Sequence, residues 1–338
     1  MSSKNRIENV AIVGVRYHMP PTLAPACANL SQASGRVGSH FAQELLKTGK
    51  HNVTAISREG STATLPSGVK VVHANYDDHA ALVSALRGHD FLVISLYARA
   101  PEGTHTKIVK AAVEAGIEYI MPNAYGADIH NEGLRNEDLV TGAFYKNAME
   151  IQQMGANYIA MACGFWYEWS LALGPNTFGI DIKNRTVTFF DDGNTKINIS
   201  TWAHCGRALA ALLSLPVQAE GDGLALEQWK NRVFFISSFK LSQKDMLASV
   251  HRVLGTKDED FTIKYEPTEK RVKDGREQLQ KGDFTGFQKV LYSRSFYPGA
   301  MDFGDQVVHD ALGLPDENLD EATKRVVEMV QSGWNPFA

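Results

Sequence analysis

Short apolar runs alternate with amphipathic stretches through the first half of the chain. The runs Val10–Gly14, Asn52–Arg58, Val69–Ala74, Phe91–Leu96, Tyr119–Pro122 and Tyr158–Cys163 predict strands covered on both faces. Between them the pattern predicts helices over Val37–Leu46, Asp78–Leu86 and Thr106–Ala115, each running into a glycine placed for a left-handed cap. A further helix is predicted over Asn136–Met154, ending at Gly155. Strand and helix in strict alternation predict an α/β fold, a doubly wound parallel sheet of Rossmann type.

The second half changes character. Val187–Phe190 and Lys196–Ile199 flank Asp191-Asp192-Gly193-Asn194, which predicts a hairpin. Trp202–Leu215 predicts an apolar helix stopped by Pro216, Val233–Ile236 a buried strand, and Ser242 with Asp245 a capping box opening a helix over Lys244–Leu254. From Lys257 to Gly286 the chain reads as charged loop; Tyr292–Tyr297 is aromatic and Glu317–Val330 predicts a last helix. The expected organisation is a nucleotide domain over residues 8–165 and a smaller α+β substrate-covering region over 166–338. Segments around 201–215 and 233–254 are expected to return to the first domain.

Composition narrows the class. A chain of 338 residues, 44% hydrophobic and 21% charged, can bury a large core. With a net charge of −4 it has no basic excess to hold nucleic acid by its phosphates. No apolar run approaches a membrane span, and MSSKNRIEN lacks the apolar core of a signal peptide, so a cytoplasmic protein with no membrane partner is expected. Cys27, Cys163 and Cys205 are too far apart for a metal-ligand motif, and no metal is expected.

The chemistry begins at the first strand. Removing Val15–Gln32 joins VAIVG to ASGRVG, a strand running into Gly-x-x-Gly-x-x-Gly and a helix. Such a turn lets the backbone approach a pyrophosphate, whose charge then sits on the helix N-terminus. Gly14, Ser34, Gly35, Arg36, Val37 and Gly38 are therefore expected to bind a dinucleotide. The 18 residues between the halves carry three prolines and no periodicity. Two readings stand: a lid over the cofactor, or a retained intron. Val15-Arg16 can be encoded with a GTNAG donor, Ala28-Asn29 as GCTAAC and Gln32 as a CAG acceptor.

In open parallel sheets ligands lie beyond the carboxyl ends of the strands. Arg58, after the second strand, suits the 2′-phosphate of NADP where NAD sites carry an acid. Asp77 or Asp78, after the third, is read as a helix cap. Ser95-Leu96-Tyr97, Asn123 and the Cys163–Phe165 loop are expected along the rest of the cofactor. Tyr125, Trp166, Tyr167 and Trp169 read either as core or as cover for a flat substrate. Tyr145 and Lys146 are adjacent, so the Tyr-x-x-x-Lys arrangement of short-chain dehydrogenases is not present.

These residues resemble the NmrA-like, isoflavone reductase-like branch of the atypical short-chain dehydrogenases, and more narrowly the fungal CipA-like oxidoreductases. The carrying segments are VAIVG–ASGRVG, VTAISR, LVSALRGHDFLVIS, AAVEAGIEYIMPNAYG, GFWYEWSL, VTFFDDGNTKINISTW, FKLSQKDMLASV and FYPGAMDFGD, spanning nearly the whole chain except Val15–Gln32. The resemblance implies NADPH binding at a Rossmann-type domain and reduction of small aromatic or phenolic compounds. It also implies a catalytic lysine on the helix after MPNAYG. Lys146 is the only lysine there, two residues from the family's position in an ungapped alignment through Gly155. The expectation is an NADPH-dependent reductase of an aromatic or conjugated carbonyl-like metabolite, with Lys146 assisting proton transfer. The alternatives are an NmrA-type NADP(H) sensor and a non-redox enzyme that retains NADP(H). Partners beyond a small-molecule substrate are not indicated.

Deleting Val15–Gln32 should leave the fold intact, because the ends of the segment can meet in an exposed loop at small entropic cost. It should tighten NADPH binding at least about tenfold, or about 1.4 kcal/mol, when measured by calorimetry. Loss of NADPH binding would make the segment part of the site.

Overall fold

The computed structural model describes residues 5–14, 33–58, 65–96, 100–219 and 221–334, with the backbone alone for 33–36. The expectations for Val15–Gln32 and for Tyr97 lie outside the described residues. The first half runs β1 (Asn9–Val13), α1 (Ala33–Lys47), β2 (Asn52–Ser57), β3 (Lys70–His73), α2 (His79–Leu86), β4 (Phe91–Ile94), α3 (Thr104–Glu114), β5 (Tyr119–Met121), β6 (Tyr125–Gly126), α4 (Glu132–Glu137), α5 (Thr141–Gln153) and β7 (Asn157–Ala162). The second half adds β8 (Phe165–Trp166), α6 (Tyr167–Ala172), β9 (Ile180–Asp181), β10 (Thr186–Phe190), β11 (Ile197–Ser200), α7 (Trp202–Leu213), β12 (Arg232–Phe235), β13 (Phe239–Leu241), α8 (Gln243–Leu254), β14 (Thr262–Glu266), α9 (Thr268–Gln280), α10 (Thr285–Ser295) and α11 (Leu319–Gln331).

Eight strands form one parallel sheet in the order β12-β7-β5-β4-β1-β2-β3, with β6 beside β7. The order reverses between β1 and β4. Successive side chains of a strand face opposite ways, and both faces of this sheet are apolar. Val10 and Ile12 point to the layer of α1 and α7, with Phe41, Leu45 and Leu209. Ala11 and Val13 point to α2, α3 and α5, with Leu82, Ile108 and Ile151. That two-sided burial is why the strands read as continuous apolar runs. The Rossmann-type fold expected from the sequence is the fold observed.

Several boundaries differ from expectation for local reasons. The helix expected over Asn136–Met154 is two helices. Leu139 takes a φ of 76°, and the Asp138 carboxylate accepts from the amides of Val140 and Thr141 at 2.9 and 2.8 Å, opening a new helix. Asp78 does cap α2, accepting from the amide of Ala81 at 3.0 Å. The expected hairpin is a turn whose strands part: β10 pairs with β9 and β14, β11 with β8 and β13, in two separate three-stranded sheets. The amide of Asp191 is taken by the Glu266 carbonyl at 3.0 Å and that of Phe190 by Gln243 Oε1 at 2.7 Å, leaving none of the ladder a hairpin needs.

The charged stretch read as loop contains β14 and the paired helices α9 and α10. Only Thr268, Arg271, Val272 and Gly275 of α9 are buried, so its sequence carries little apolar signal. The pair packs at Gly275 and Gly286, where a Cβ on Gly286 would lie 2.2 Å from the Gly275 carbonyl oxygen.

The two halves share one body. α7 packs on α1, and β12 is the last strand of the main sheet. Buried Glu168 accepts from the amide of Trp202 at 3.2 Å and from Arg325 at 3.1 Å, joining α6, α7 and α11. α8 differs from expectation: it packs with α11 and the second-half sheets, in a core of its own with Met246, Val250 and Val326.

His204, on α7, is fully buried, stacks on His309 at 5.5 Å, and has no hydrogen-bond partner on either ring nitrogen. Burial lowers its pKa to about 4, against an opposing pull from Glu317. A base depressed in the folded state is protonated first in the unfolded chain. Stability should therefore be fully present above pH 6.5 and fall as pH drops toward 4, by about 3 kcal/mol at most from this group. Denaturant midpoints of His204→Phe should vary less with pH across that window than wild type; an unchanged slope assigns the effect elsewhere.

Candidate active site

The glycine turn sits where the sheet order reverses. The Ser95 amide donates to the Val13 carbonyl at 2.7 Å, and a Cβ on Gly14 would lie 1.9 Å from the Ser95 carbonyl oxygen. A Cβ on Gly38 would sit 3.4 Å from Ser95 Oγ. The end of β1, the start of α1 and the end of β4 thus meet in a space that tolerates almost no side chain. Helix α1 begins at Ala33, so Ser34, Gly35 and Arg36 lie in its first turn, where backbone amides lack helical partners. Such a cradle fits a dinucleotide pyrophosphate. Val37 is buried in the core beneath it. Arg58 follows β2 at the same edge of the sheet and is half-buried.

Beyond the turn the loops after β4 and β5 are tied together. Asn123 Oδ1 accepts from the amide of Leu96 at 3.0 Å, and Asn147 donates to the Asn123 carbonyl at 3.3 Å. Next to them opens a cavity of about 190 Å³. Leu96, Asn123 and Phe165, expected at the cofactor, line it together with Tyr125, Trp166 and Trp169, expected at the substrate. α5 contributes Thr141 and Phe144, and α10 contributes Phe287, Gln288, Leu291, Tyr292 and Ser295. The α10 residues recur every three or four positions and so share one face of that helix. Arg294 holds α10 in place through a 2.5 Å bond to Glu137.

Three expected positions fall elsewhere. Lys146 is exposed on α5 and does not line the cavity. It lies two positions from Phe144, which turns it about 200° around the helix from the lined face. Tyr167 is fully buried behind the cavity, its hydroxyl 2.7 Å from Thr323 Oγ1. Adjacent residues of GFWYEWS diverge because Tyr167 starts α6, so Trp166 and Trp169 face the cavity and Tyr167 the second core. Cys163 is buried beneath the loop, with Sγ 3.4 Å from the Gly164 carbonyl. Tyr125 touches the cavity, but its hydroxyl donates to the Ile94 carbonyl at 2.8 Å and burial pushes its phenol well up. The lining residues missed by sequence reasoning include those of α5 and α10, Ser170 and Met301; the aromatic run Tyr292–Tyr297 was the visible signal for α10.

A Rossmann sheet with a glycine turn at its reversal and an aromatic cavity beside it defines a dinucleotide-dependent enzyme. An NAD(P)H-binding family model matches residues 33–165. Over 308 residues the chain is 23% identical to oxidoreductase aprR of Aspergillus flavus, covering 88% of this chain and 97% of that one. The fold matches an isoflavone reductase with a TM-score of 0.67 at 18% identity, over 94% of this chain and 98% of the other. It also matches an NADPH-dependent quinone oxidoreductase of Escherichia coli, with a TM-score of 0.61 at 18% identity, over 95% and 99%. The chain is an NAD(P)H-binding oxidoreductase that resembles the isoflavone reductase-like proteins. No helix among the described residues is long and apolar enough to cross a membrane.

Arg58→Ala should weaken NADPH by about 1.5–3 kcal/mol, the worth of charge-assisted bonds to a phosphate. NADH should be little affected. Equal losses for both nucleotides in calorimetry would remove Arg58 from the 2′-phosphate site.

Proposed function

We propose that the protein reduces a flat aromatic or conjugated carbonyl compound, with the hydride supplied by NADPH. The observation that carries this reading is the composition of the cavity wall: Phe144, Phe165, Trp166, Trp169, Phe287 and Tyr292 surround a space that adjoins the loops of Leu96 and Asn123. No Lys, Arg or His is among its described lining residues. Such a wall favours an uncharged ring system, both by area removed from water and by ring stacking. Its one carboxylate, Asp138, is spent on the start of α5. The relatives named as isoflavone and quinone reductases point to the same substrate chemistry.

The bound nucleotide supplies the hydride. The chain's part is to hold the ring of the substrate, keep water from the reacting carbon, and fix the nicotinamide end through the Leu96–Asn123 tie. Lys146 is not among the residues that line that space, so proton uptake is assigned to water or to a group on the cavity wall. Lys146→Ala should therefore change kcat less than about threefold, where loss of a general acid would cost about 10²–10⁴-fold.

The test is NADPH oxidation, followed by absorbance, across quinones, aryl ketones and charged aliphatic ketones. Turnover of the first two groups but not the third is expected. No turnover of any aromatic acceptor by protein that binds NADPH would overturn the reading.

A further inference from the structure

Most polar groups on the cavity wall are already committed. The Tyr125 hydroxyl is given to a backbone carbonyl, Asn123 Oδ1 to a backbone amide, and the Ser295 hydroxyl to the Leu291 carbonyl. The amides of Asn123 and Gln288 belong to half-buried residues that water can reach.

Ser170 and Tyr292 differ. They line the cavity, are 0% and 5% exposed, and their hydroxyl oxygens lie 2.8 Å apart. Two hydroxyls carry two protons, and one serves the bond between them. Among the described residues the pair makes no other side-chain hydrogen bond. The second proton has no side-chain acceptor shown among the described residues, and a buried donor favours gaining one. The Tyr292 ring is fixed by stacking on Phe165, with centroids 4.0 Å apart and planes 13° apart. Its hydroxyl therefore cannot swing away to seek another partner. Burial pushes the phenol up, which keeps it a donor at every working pH. The indole Nε1 of Trp166, on the same wall, is also buried without a partner.

We infer that the Ser170–Tyr292 hydroxyl pair is an oxygen anchor, which selects ring compounds carrying a carbonyl oxygen over the same rings without one. The assignment rests on the reading of this cavity as the substrate site. It deepens that reading by naming which wall receives the oxygen. The ring would lie among the aromatic side chains while the oxygen takes the spare proton of the pair in a hydrogen bond. Negative charge that gathers on the oxygen as hydride reaches the carbon would strengthen that bond, so the pair would favour the transition state over the ground state.

The test compares acetylnaphthalene with ethylnaphthalene, one skeleton with and without the oxygen, by calorimetry on the NADP⁺-bound protein. Wild type should prefer the ketone about tenfold, or about 1.4 kcal/mol. Tyr292→Phe keeps the ring and its stack on Phe165; it should abolish the preference and leave ethylnaphthalene affinity unchanged. Ser170→Ala should reduce the preference without changing thermal stability by more than a few degrees. Three results would overturn the inference: no preference in wild type, an undiminished preference in Tyr292→Phe, or a Tyr292→Phe protein that also loses ethylnaphthalene, which would make Tyr292 a wall and not a donor. Turnover separates the two proposals. A preference that depends on Tyr292, with no NADPH oxidation by any aromatic acceptor, would sink the proposed reduction and leave the anchor standing.

Discussion

Where β1 ends, its backbone runs so close to the end of β4 that a Cβ on Gly14 would lie 1.9 Å from the Ser95 carbonyl oxygen. This contact lies at the point where strand order reverses, with β2 and β3 built to one side of β1 and β4, β5, β7 and β12 to the other. Chains leaving in opposite directions open a crevice there, and the crevice is where an open parallel sheet binds its ligands. The side-chain-free approach of Gly14, with Gly38 against Ser95, keeps the crevice floor flat enough for a backbone to meet a pyrophosphate. The cavity and the helices that cover it sit beside this junction.

α5 and the second region supply what the sheet lacks, a wall against water. α5 begins only because Asp138 breaks the preceding helix and caps the new one, and that break points Thr141 and Phe144 at the cavity. α10 is pressed onto α9 at a pair of glycines and tied to α4 by Arg294. Its apolar face, from Phe287 to Ser295, closes the far side. The cavity is thus composite: one wall comes from loops of the sheet, the other from helices far along the chain. Residues from Leu96 to Met301 are needed to enclose it.

The sheet was legible because its strands are buried on both faces, and continuous apolar runs such as FLVI of β4 have no other stable use. Gly14 and Gly38, read from the sequence as parts of a phosphate turn, both lie against Ser95. Trp166 and Trp169 were visible as candidates, since aromatic residues crowd the end of a strand there. What failed was orientation. GFWYEWS offers no hint that α6 starts at Tyr167 and turns that residue into a separate core with Thr323. Lys146 is exposed on α5 and is not among the residues that line the cavity. The wall of α10 was hidden by its neighbour: α9 is a polar helix that buries little, so the whole stretch resembled loop. The hairpin failed because its amides are claimed by Glu266 and Gln243, partners more than 50 residues away that no local pattern announces.

The central claim is that the glycine junction and the aromatic cavity are two ends of one site. It is tested most directly by a crystal structure of the protein with NADP⁺. The pyrophosphate should lie over Gly14 and the first turn of α1. The nicotinamide should rest against Leu96, Asn123 and Phe165, with its C4 facing the cavity bounded by Trp166 and Tyr292. A nicotinamide ring directed away from that cavity, or a nucleotide bound elsewhere on the sheet, would contradict the account.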